Sequence, residues 1–211
     1  MPRAITSRVT TACLALDAVP APATVLAPGH VTTTRLTLRP WRESDRSEFT
    51  RVYGLTRDLL ARTVPLGRAT DSADAIFDRQ LMLCEEGDRR GTAWRRPAFL
   101  ADGRLAGAFN LTSIERGLKF CGVASWWLSS DQLHHGYAVE GVLAMLDHAF
   151  TDLPRGLGLN EILAHVLPDN EPSTRTAERA GFQPTGSKTS VLLGGGWVSH
   201  TEFRCVPHAR A

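Results

Sequence analysis

A short segment in the second half of the chain has the features of a site that binds phosphate groups. Residues 131–136 (DQLHHG) are typical of a turn, and an apolar helical pattern begins directly afterwards at Ala138. The free backbone amides at the start of a helix, together with the positive end of its dipole, attract phosphate oxygens. Gly136 lets the backbone approach such a ligand closely. The segment is therefore a candidate phosphate-binding loop, and a solvated loop without a ligand is the alternative.

Size and composition predict one ordinary globular domain. The 211 residues are 43% hydrophobic and 22% charged, and the formal net charge of +2 does not favour nucleic acid as a partner. The four cysteines lie far apart without a metal-binding spacing, which predicts reduced thiols, a cytoplasmic protein and no metal site. No apolar run approaches the roughly 20 residues of a membrane helix, so no membrane association is expected. Residues 1–31 are predicted to be a flexible N-terminal extension.

Hydrophobic periodicity predicts alternating helices and strands around the candidate loop. Strands are predicted at Thr33–Arg39, Ala98–Ala101, Leu105–Ser113, Cys121–Leu128, Ile162–Leu167, Thr189–Leu193 and Trp197–Cys205. Helices are predicted at Ser44–Arg62, Asp71–Glu86, Ala138–Phe150 and Pro172–Ala180, with Gly87 ending the second. Hairpin turns are expected at Asp102-Gly103 and at residues 194–196. This order predicts an α/β fold around a mixed sheet.

The order of elements, with a central strand, turn and helix that begins Gly-Tyr-Ala, resembles the GCN5-related N-acetyltransferase (GNAT) superfamily. Several segments resemble more narrowly its RimJ/RimL group of protein N-terminal alanine acetyltransferases. They are Arg35–Arg39, Asn110–Gly117, Asp131–Gly141, Leu167–Asn170, Ser173, Glu178–Phe182 and Gly195–Trp197. The resemblance implies a GNAT acyltransferase domain at residues 32–207. Its mixed central sheet would have about six to seven strands, with about four helices.

The resemblance also implies a donor site for acetyl-CoA or another acyl-CoA. The donor's phosphates would lie over the loop, and its pantetheine arm would pair with the preceding strand. Donor-binding roles are implied for Trp126, Trp127, Leu128, Leu133, His134, His135, Gly136, Tyr137, Ala138, Asn170 and Ser173. Ser173 would in addition protonate the departing thiolate, whereas a role only as a helix cap is the alternative. Glu140, in the first turn of the helix, is expected to be structural because a carboxylate there favours the helix dipole.

The loop departs from the superfamily pattern in its charge. Leu133, His134 and His135 stand where relatives commonly have Gln or Arg, then Gly, then a basic residue. Histidine is mostly neutral at about pH 7, so the loop carries less fixed positive charge than usual. An acyl-phosphopantetheine on a carrier protein has one phosphate and would suffice for such a loop. A carrier-protein donor is therefore an alternative to acyl-CoA, with a biosynthetic intermediate as acceptor.

The proton acceptor also departs from the superfamily pattern. Val191 stands where relatives often have Asp or Glu, which leaves Glu202 and His200 as the catalytic candidates for removing a proton from the acceptor. The alternative is that Glu202 is a solvated strand residue and His200 a structural one. Without a strong base, transfer is expected to follow the acceptor's own pKa. An α-amine of pKa ~8 is then favoured over lysine, near 10.4.

The main functional hypothesis is an N-acyltransferase in which a primary amine attacks the thioester directly. The acceptor amine would belong to a small molecule or to a protein N-terminus. A non-catalytic module that binds acyl-CoA or a peptide is the hypothesis from another class, because a domain of this kind without its base can still bind. A monomer and a homodimer are both compatible with the sequence.

Overall fold

The computed structural model of the chain describes residues 29–64, 66–68, 70–193 and 196–207. Within those residues, an eight-stranded sheet is accompanied by four α-helices. The strands are β1 (Val31–Thr32), β2 (Thr37–Leu38), β3 (Trp94–Phe99), β4 (Leu105–Glu115), β5 (Cys121–Leu128), β6 (Glu161–Val166), β7 (Gln183–Leu193) and β8 (Gly196–Cys205). The helices are α1 (Arg46–Thr63), α2 (Ala73–Arg90), α3 (Tyr137–Phe150) and α4 (Glu171–Arg179). The predicted extension lies, except for residues 29–31, outside the described residues.

The sheet has the order β1-β2-β3-β4-β5-β6-β8-β7, with β5 and β6 parallel and the other neighbours antiparallel. The predicted mixed α/β fold with four helices is confirmed, but the strand number is eight rather than six or seven. The predicted strand Thr33–Arg39 is wrong because the chain turns within it. The hydroxyl of Thr33 accepts the backbone N–H of Leu36 at 2.9 Å, and this local bond closes a turn between β1 and β2.

The predicted end of α2 at Gly87 is also wrong. The helix continues to Arg90 and ends at Gly91, which has a left-handed φ of 66°. Gly87 is needed for packing instead, because a Cβ there would lie 2.8 Å from Cβ of Ala93. A glycine in a helical pattern can therefore mark the end of the helix or a place where another segment packs too closely for a Cβ. Only the tertiary packing distinguishes these two cases.

The two faces of the sheet carry separate apolar cores. Trp127 packs in one core with residues of α1 and α2, whereas its neighbour Trp126 packs in the other, which includes residues of α3 and α4. This alternation follows from the pleat of a strand, since successive side chains point to opposite faces. None of the helices in the described ranges combines the length and apolarity needed to cross a bilayer.

The sheet opens between its two parallel strands. Pairing of β5 with β6 runs from Cys121 opposite Glu161 to Ala124 opposite Ala164 and stops there. Beyond this point β5 stays paired with β4 as far as Leu128, while β6 stays paired with β8. Because the two strands are parallel, their carboxyl ends lie at the same open end. The segments that lead into α3 and α4 therefore begin on the two sides of one gap.

Candidate functional site

A cavity fills the gap where β5 and β6 separate. Its lining comes from both strands, the end of α1, the start of α4 and β8: Thr63, Val64, Ala124, Ser125, Trp126, Ala164, His165, Val166, Leu167, Asn170, Ser173 and His200. Four residues predicted from the sequence meet here, namely Trp126, Asn170, Ser173 and His200. Glu202 is not part of the lining.

The edge of β5 that faces the gap is free to bind a ligand. No strand within the described part of the chain pairs with this edge beyond Ala124. Its backbone N–H and C=O groups can therefore form strand-like hydrogen bonds with an extended amide-containing arm. The side chain of Trp127 does not take part, because it is only 6% exposed and lies in the core beneath α1 and α2. Trp127 and Leu128 can thus contribute through the backbone, whereas the Trp126 side chain lines the cavity.

The loop from Leu133 to Gly136 lies at the open end of the gap. His134 and Gly136 have positive φ angles of 64° and 81°, and His134, His135 and Gly136 are exposed. Gly136 occupies the N-cap of α3, and no side chain caps the helix there. The amides of Tyr137 and Ala138 in the first turn are therefore available to an anion, as the pattern of this segment predicts.

Arg35 lies beside this loop and was not among the site residues predicted from the sequence. Its Nη1 donates to the carbonyl oxygen of His135 at 2.8 Å, and its Nε donates to Oε2 of Glu140 at 2.7 Å. The guanidinium also lies 4.6 Å from the ring centroid of Tyr137. The guanidinium of Arg35 thus holds the backbone of a loop that lies 100 residues away in the sequence. The only sequence signal for this role is that Arg35 belongs to the Arg35–Arg39 motif.

Glu140 joins α3 to the turn between β1 and β2. Burial alone would raise its pKa, but hydrogen bonds from Thr33 and Arg35 together hold the pKa of Glu140 below its usual value. The hydroxyl of Thr33 donates to Oε1 at 2.5 Å, and the backbone N–H of Arg35 donates to the same oxygen at 3.0 Å. These contacts give Glu140 a structural role, since all of its contacts anchor one end of α3.

Asn170 and Ser173 lie at the start of α4, and both line the cavity. Oδ1 of Asn170 accepts the backbone N–H of Ser173 at 3.3 Å and caps the helix. The alternative that Ser173 is the cap is therefore wrong. The Ser173 hydroxyl has no hydrogen-bond partner among the described residues, and Ser173 lines the cavity. Its proton is free to be donated to a group bound there.

The two candidates on β8 have different surroundings. His200 is 4% exposed, and its Nδ1 lies 2.9 Å from the carbonyl oxygen of Val198. Because a carbonyl oxygen only accepts, Nδ1 carries the proton in this contact and Nε2 keeps a lone pair. Glu202 lies instead opposite His165 of β6, with its Oε2 3.6 Å from Nε2 of that ring. His165 lines the cavity and was missed, because the sequence does not reveal the register of β6 against β8.

Among the side chains of the described ranges, no group of three His, Cys, Asp or Glu is placed to hold a metal ion. Burial raises the pKa of the Cys84 and Cys205 thiols, which favours the neutral form of both. Neither cysteine lines the cavity. The polar groups within reach of a bound molecule are therefore hydroxyl, amide and imidazole groups.

Comparisons with known proteins agree with this geometry. The acetyltransferase (GNAT) domain family matches residues 35–183. "Probable N-acetyltransferase YjcK" of Bacillus subtilis is 34% identical over 103 residues, which span 47% of this chain and 54% of that protein, about half of each. RimJ of Mycobacterium smegmatis, solved in complex with CoA-disulfide, superposes with a TM-score of 0.75 and 21% identity over 86% of this chain and 88% of that chain. A ribosomal-protein-S5-alanine acetyltransferase from Vibrio fischeri superposes with a TM-score of 0.71 and 19% identity over 84% and 96% of the two chains.

Proposed function

The chain belongs to the acetyltransferase (GNAT) family, and we propose that it transfers an acetyl group from acetyl-CoA to a primary amine. The observation that carries this proposal is the gap between β5 and β6. Pairing of the two strands stops at Ala124 and Ala164, and Ser173 lines the cavity between them. A thioester arm laid along the free edge of β5 would bring its reactive carbonyl into this cavity.

The donor is held at both ends in this proposal. Its phosphates lie over Gly136 and the first amides of α3, where the helix dipole favours negative charge. Its pantetheine arm pairs with the backbone from Ser125 to Leu128. Arg35 donates to the carbonyl of His135 and so holds this loop in place, while its charge is paired with that of Glu140. The CoA-disulfide in the structure of Mycobacterium smegmatis RimJ, whose fold this chain shares, supports CoA rather than a carrier-protein arm as the donor.

The reaction proceeds by direct attack of the amine nitrogen on the thioester carbonyl. A backbone N–H of the free β5 edge stabilises the oxygen as it becomes negative. Most of the acceleration comes from holding the donor and the amine in line within one cavity. As the C–S bond breaks, the hydroxyl of Ser173 supplies a proton to the thiolate and is reprotonated by solvent.

The acceptor we propose is an α-amine, such as a protein N-terminus or a small primary amine. Among the described residues that line the cavity, none carries a carboxylate that would bind a strongly basic cation. At about pH 7, an α-amine of pKa ~8 is about one-tenth neutral, whereas a lysine near 10.4 is almost wholly protonated. The ribosomal-protein-S5-alanine acetyltransferase of Vibrio fischeri, whose fold this chain shares, is named for a protein acceptor, which supports this choice.

A thiol-release assay with acetyl-CoA tests the proposal. The acceptors are a short peptide with a free α-amine, the same peptide acetylated at its terminus but carrying lysine, and a polyamine. We expect release of CoA with the free α-amine and at least about tenfold less with the other two, from the difference in neutral fraction. CoA binding in calorimetry without thiol release for any amine would contradict catalysis and support a binding module.

A further inference from the structure

The register of β6 against β8 places an imidazole and a carboxylate side by side at the cavity. His165 is directly opposite Glu202, so the two side chains lie on the same face of the sheet. Nε2 of His165 and Oε2 of Glu202 are 3.6 Å apart, and their side chains are 20% and 21% exposed. This distance exceeds that of a hydrogen bond but allows an ion pair once the ring is protonated. His165 lines the cavity, whereas Glu202 lies behind it.

Glu202 is held in this position from the neighbouring strand. The hydroxyl of Thr185 in β7 donates to Oε1 of Glu202 at 3.1 Å, which leaves Oε2 towards His165. Val191, where a carboxylate is often found in relatives, pairs with Val198 and so lies on the same face as His200 and Glu202. The face that lacks an acid at residue 191 therefore carries one at residue 202.

We propose that His165 is the general base that removes the proton from the acceptor amine, and that Glu202 is the positioning residue that stabilises the resulting imidazolium. The assignment rests on the acetyl-transfer function proposed above. Nε2 is the ring nitrogen of His165 that faces Glu202, so the proposal assigns Nδ1 to the acceptor. A carboxylate behind an imidazole orients the ring and favours its charged form, as in histidine-based hydrolases.

In this proposal the acceptor arrives as an ammonium ion. Nδ1 of His165 takes one proton and passes it to solvent, which leaves a neutral amine with its lone pair. The lone pair forms the C–N bond, and the C–S bond then breaks with its electrons on sulfur. The nitrogen loses a second proton to His165, which releases it to solvent. The thiolate gains a proton from Ser173, which solvent then reprotonates. The net products are the amide, the free thiol of CoA and one proton released to solvent.

His200 is the competing base, and its surroundings favour it less. It is nearly fully buried, and the partner of its Nδ1 is a carbonyl oxygen rather than a carboxylate. A neutral carbonyl stabilises an imidazolium less than a charged carboxylate does. The other charged group of β8 on this face is Arg204, which is paired with Glu161 at 3.6 Å. The lining residues from β5 and from the end of α1 carry no charge.

Chemical rescue distinguishes a base from a structural residue. The full chain is assayed with acetyl-CoA and a peptide that has a free α-amine, as wild type, His165→Ala, Glu202→Gln and His200→Ala. We expect His165→Ala to lower kcat by about 100-fold, within the usual contribution of a general base. Added imidazole should restore part of this loss in proportion to its concentration. The Kd for CoA should stay within about twofold of wild type, since a base contributes to the chemical step and not to donor binding.

The separate effects on kcat and KM test the role of Glu202. We expect Glu202→Gln to lower kcat with little change in KM, because the imidazolium that forms during the reaction loses its carboxylate, and imidazole should not rescue this variant. His165→Gln serves as a second variant if His165→Ala does not fold, with CoA affinity as the measure of the folded state.

Several outcomes would overturn the assignment. Full turnover in a folded His165 variant, an unchanged kcat in Glu202→Gln, or imidazole rescue of His200→Ala rather than His165→Ala would each do so. A wild-type protein that binds CoA but acetylates no amine would overturn the proposed function itself, and with it the role of His165. Failure of the base assignment alone leaves wild-type turnover intact, so the two failures are distinguishable.

Discussion

Replacement of Gly136 by alanine tests whether the loop before α3 binds the donor. The residue has a φ of 81°, and an added Cβ would lie 3.5 Å from Nη2 of Arg35, which is an ordinary contact. The substitution therefore adds backbone strain rather than a clash. A residue with a Cβ adopts this left-handed conformation at a cost of about 1–2 kcal/mol.

Because the loop is exposed, we expect this strain to weaken donor binding rather than the stability of the fold. His134, His135 and Gly136 are all exposed, so the free variant can turn residue 136 to a negative φ without uncovering the core. Donor binding must then restore the left-handed conformation, and the strain is subtracted from the binding free energy. A loss of about 1–2 kcal/mol corresponds to a Kd for CoA that is about 5–30-fold higher. The midpoint of thermal unfolding should change little.

Calorimetric titration with CoA, together with thermal unfolding, measures both quantities. Gly181→Ala is the matched control, because Gly181 also has a positive φ, of 94°, and an added Cβ would meet no neighbouring atom. Gly181 follows the C-terminal end of α4, whereas Asn170 lies at its N-terminal end. We expect this control to lose stability while its Kd for CoA is unchanged. If Gly136→Ala behaves in the same way as the control, the loop does not contact the phosphates and the donor placement is wrong.

Three further predictions concern other parts of the molecule. Ser173→Ala should lower kcat by about tenfold or more at unchanged unfolding midpoint and CoA affinity, because Ser173 is not the helix cap; an unchanged kcat would remove its role in protonation. Arg35→Met should raise the Kd for CoA about fivefold, which is equivalent to ~1 kcal/mol for a charged hydrogen bond discounted for 44% exposure. The control variant Arg104→Met, which replaces another exposed arginine, should leave this Kd unchanged. Equal CoA affinities of Arg35→Met and the wild type would contradict the role of Arg35. Burial, and then the charge of Arg96, lower the pKa of His148 to about 4. Because this pKa lies below the unfolded value near 6.5, stability is complete above about pH 6.5 and falls as the pH decreases towards 4, by up to ~1.4 kcal/mol per pH unit. The free energy of unfolding, measured with urea, should change less steeply with pH between about pH 6.5 and 5 in His148→Gln than in the wild type. An equal dependence on pH in both proteins would contradict this cause.

The sequence by itself determined those features that depend on neighbouring residues. The start of α3 was predicted within one residue, because the turn residues before it and the apolar period after it are local signals. The antiparallel pairing of β3 with β4 was likewise predicted, from the hairpin turn at Asp102-Gly103. The superfamily followed from motifs of the same kind, since each motif occupies a short stretch of chain.

Only the tertiary structure decided which of these residues act together. Trp126 and Trp127 have the same residue type and were assigned the same role, but the pleat sends one to the cavity and the other beneath α1 and α2. His165 gains a carboxylate partner only through the register of β6 against β8. Arg35 reaches the loop because the first turn of the sheet packs against α3. Strand register and the packing of distant segments depend on how the whole core is buried. A local sequence pattern does not specify this arrangement.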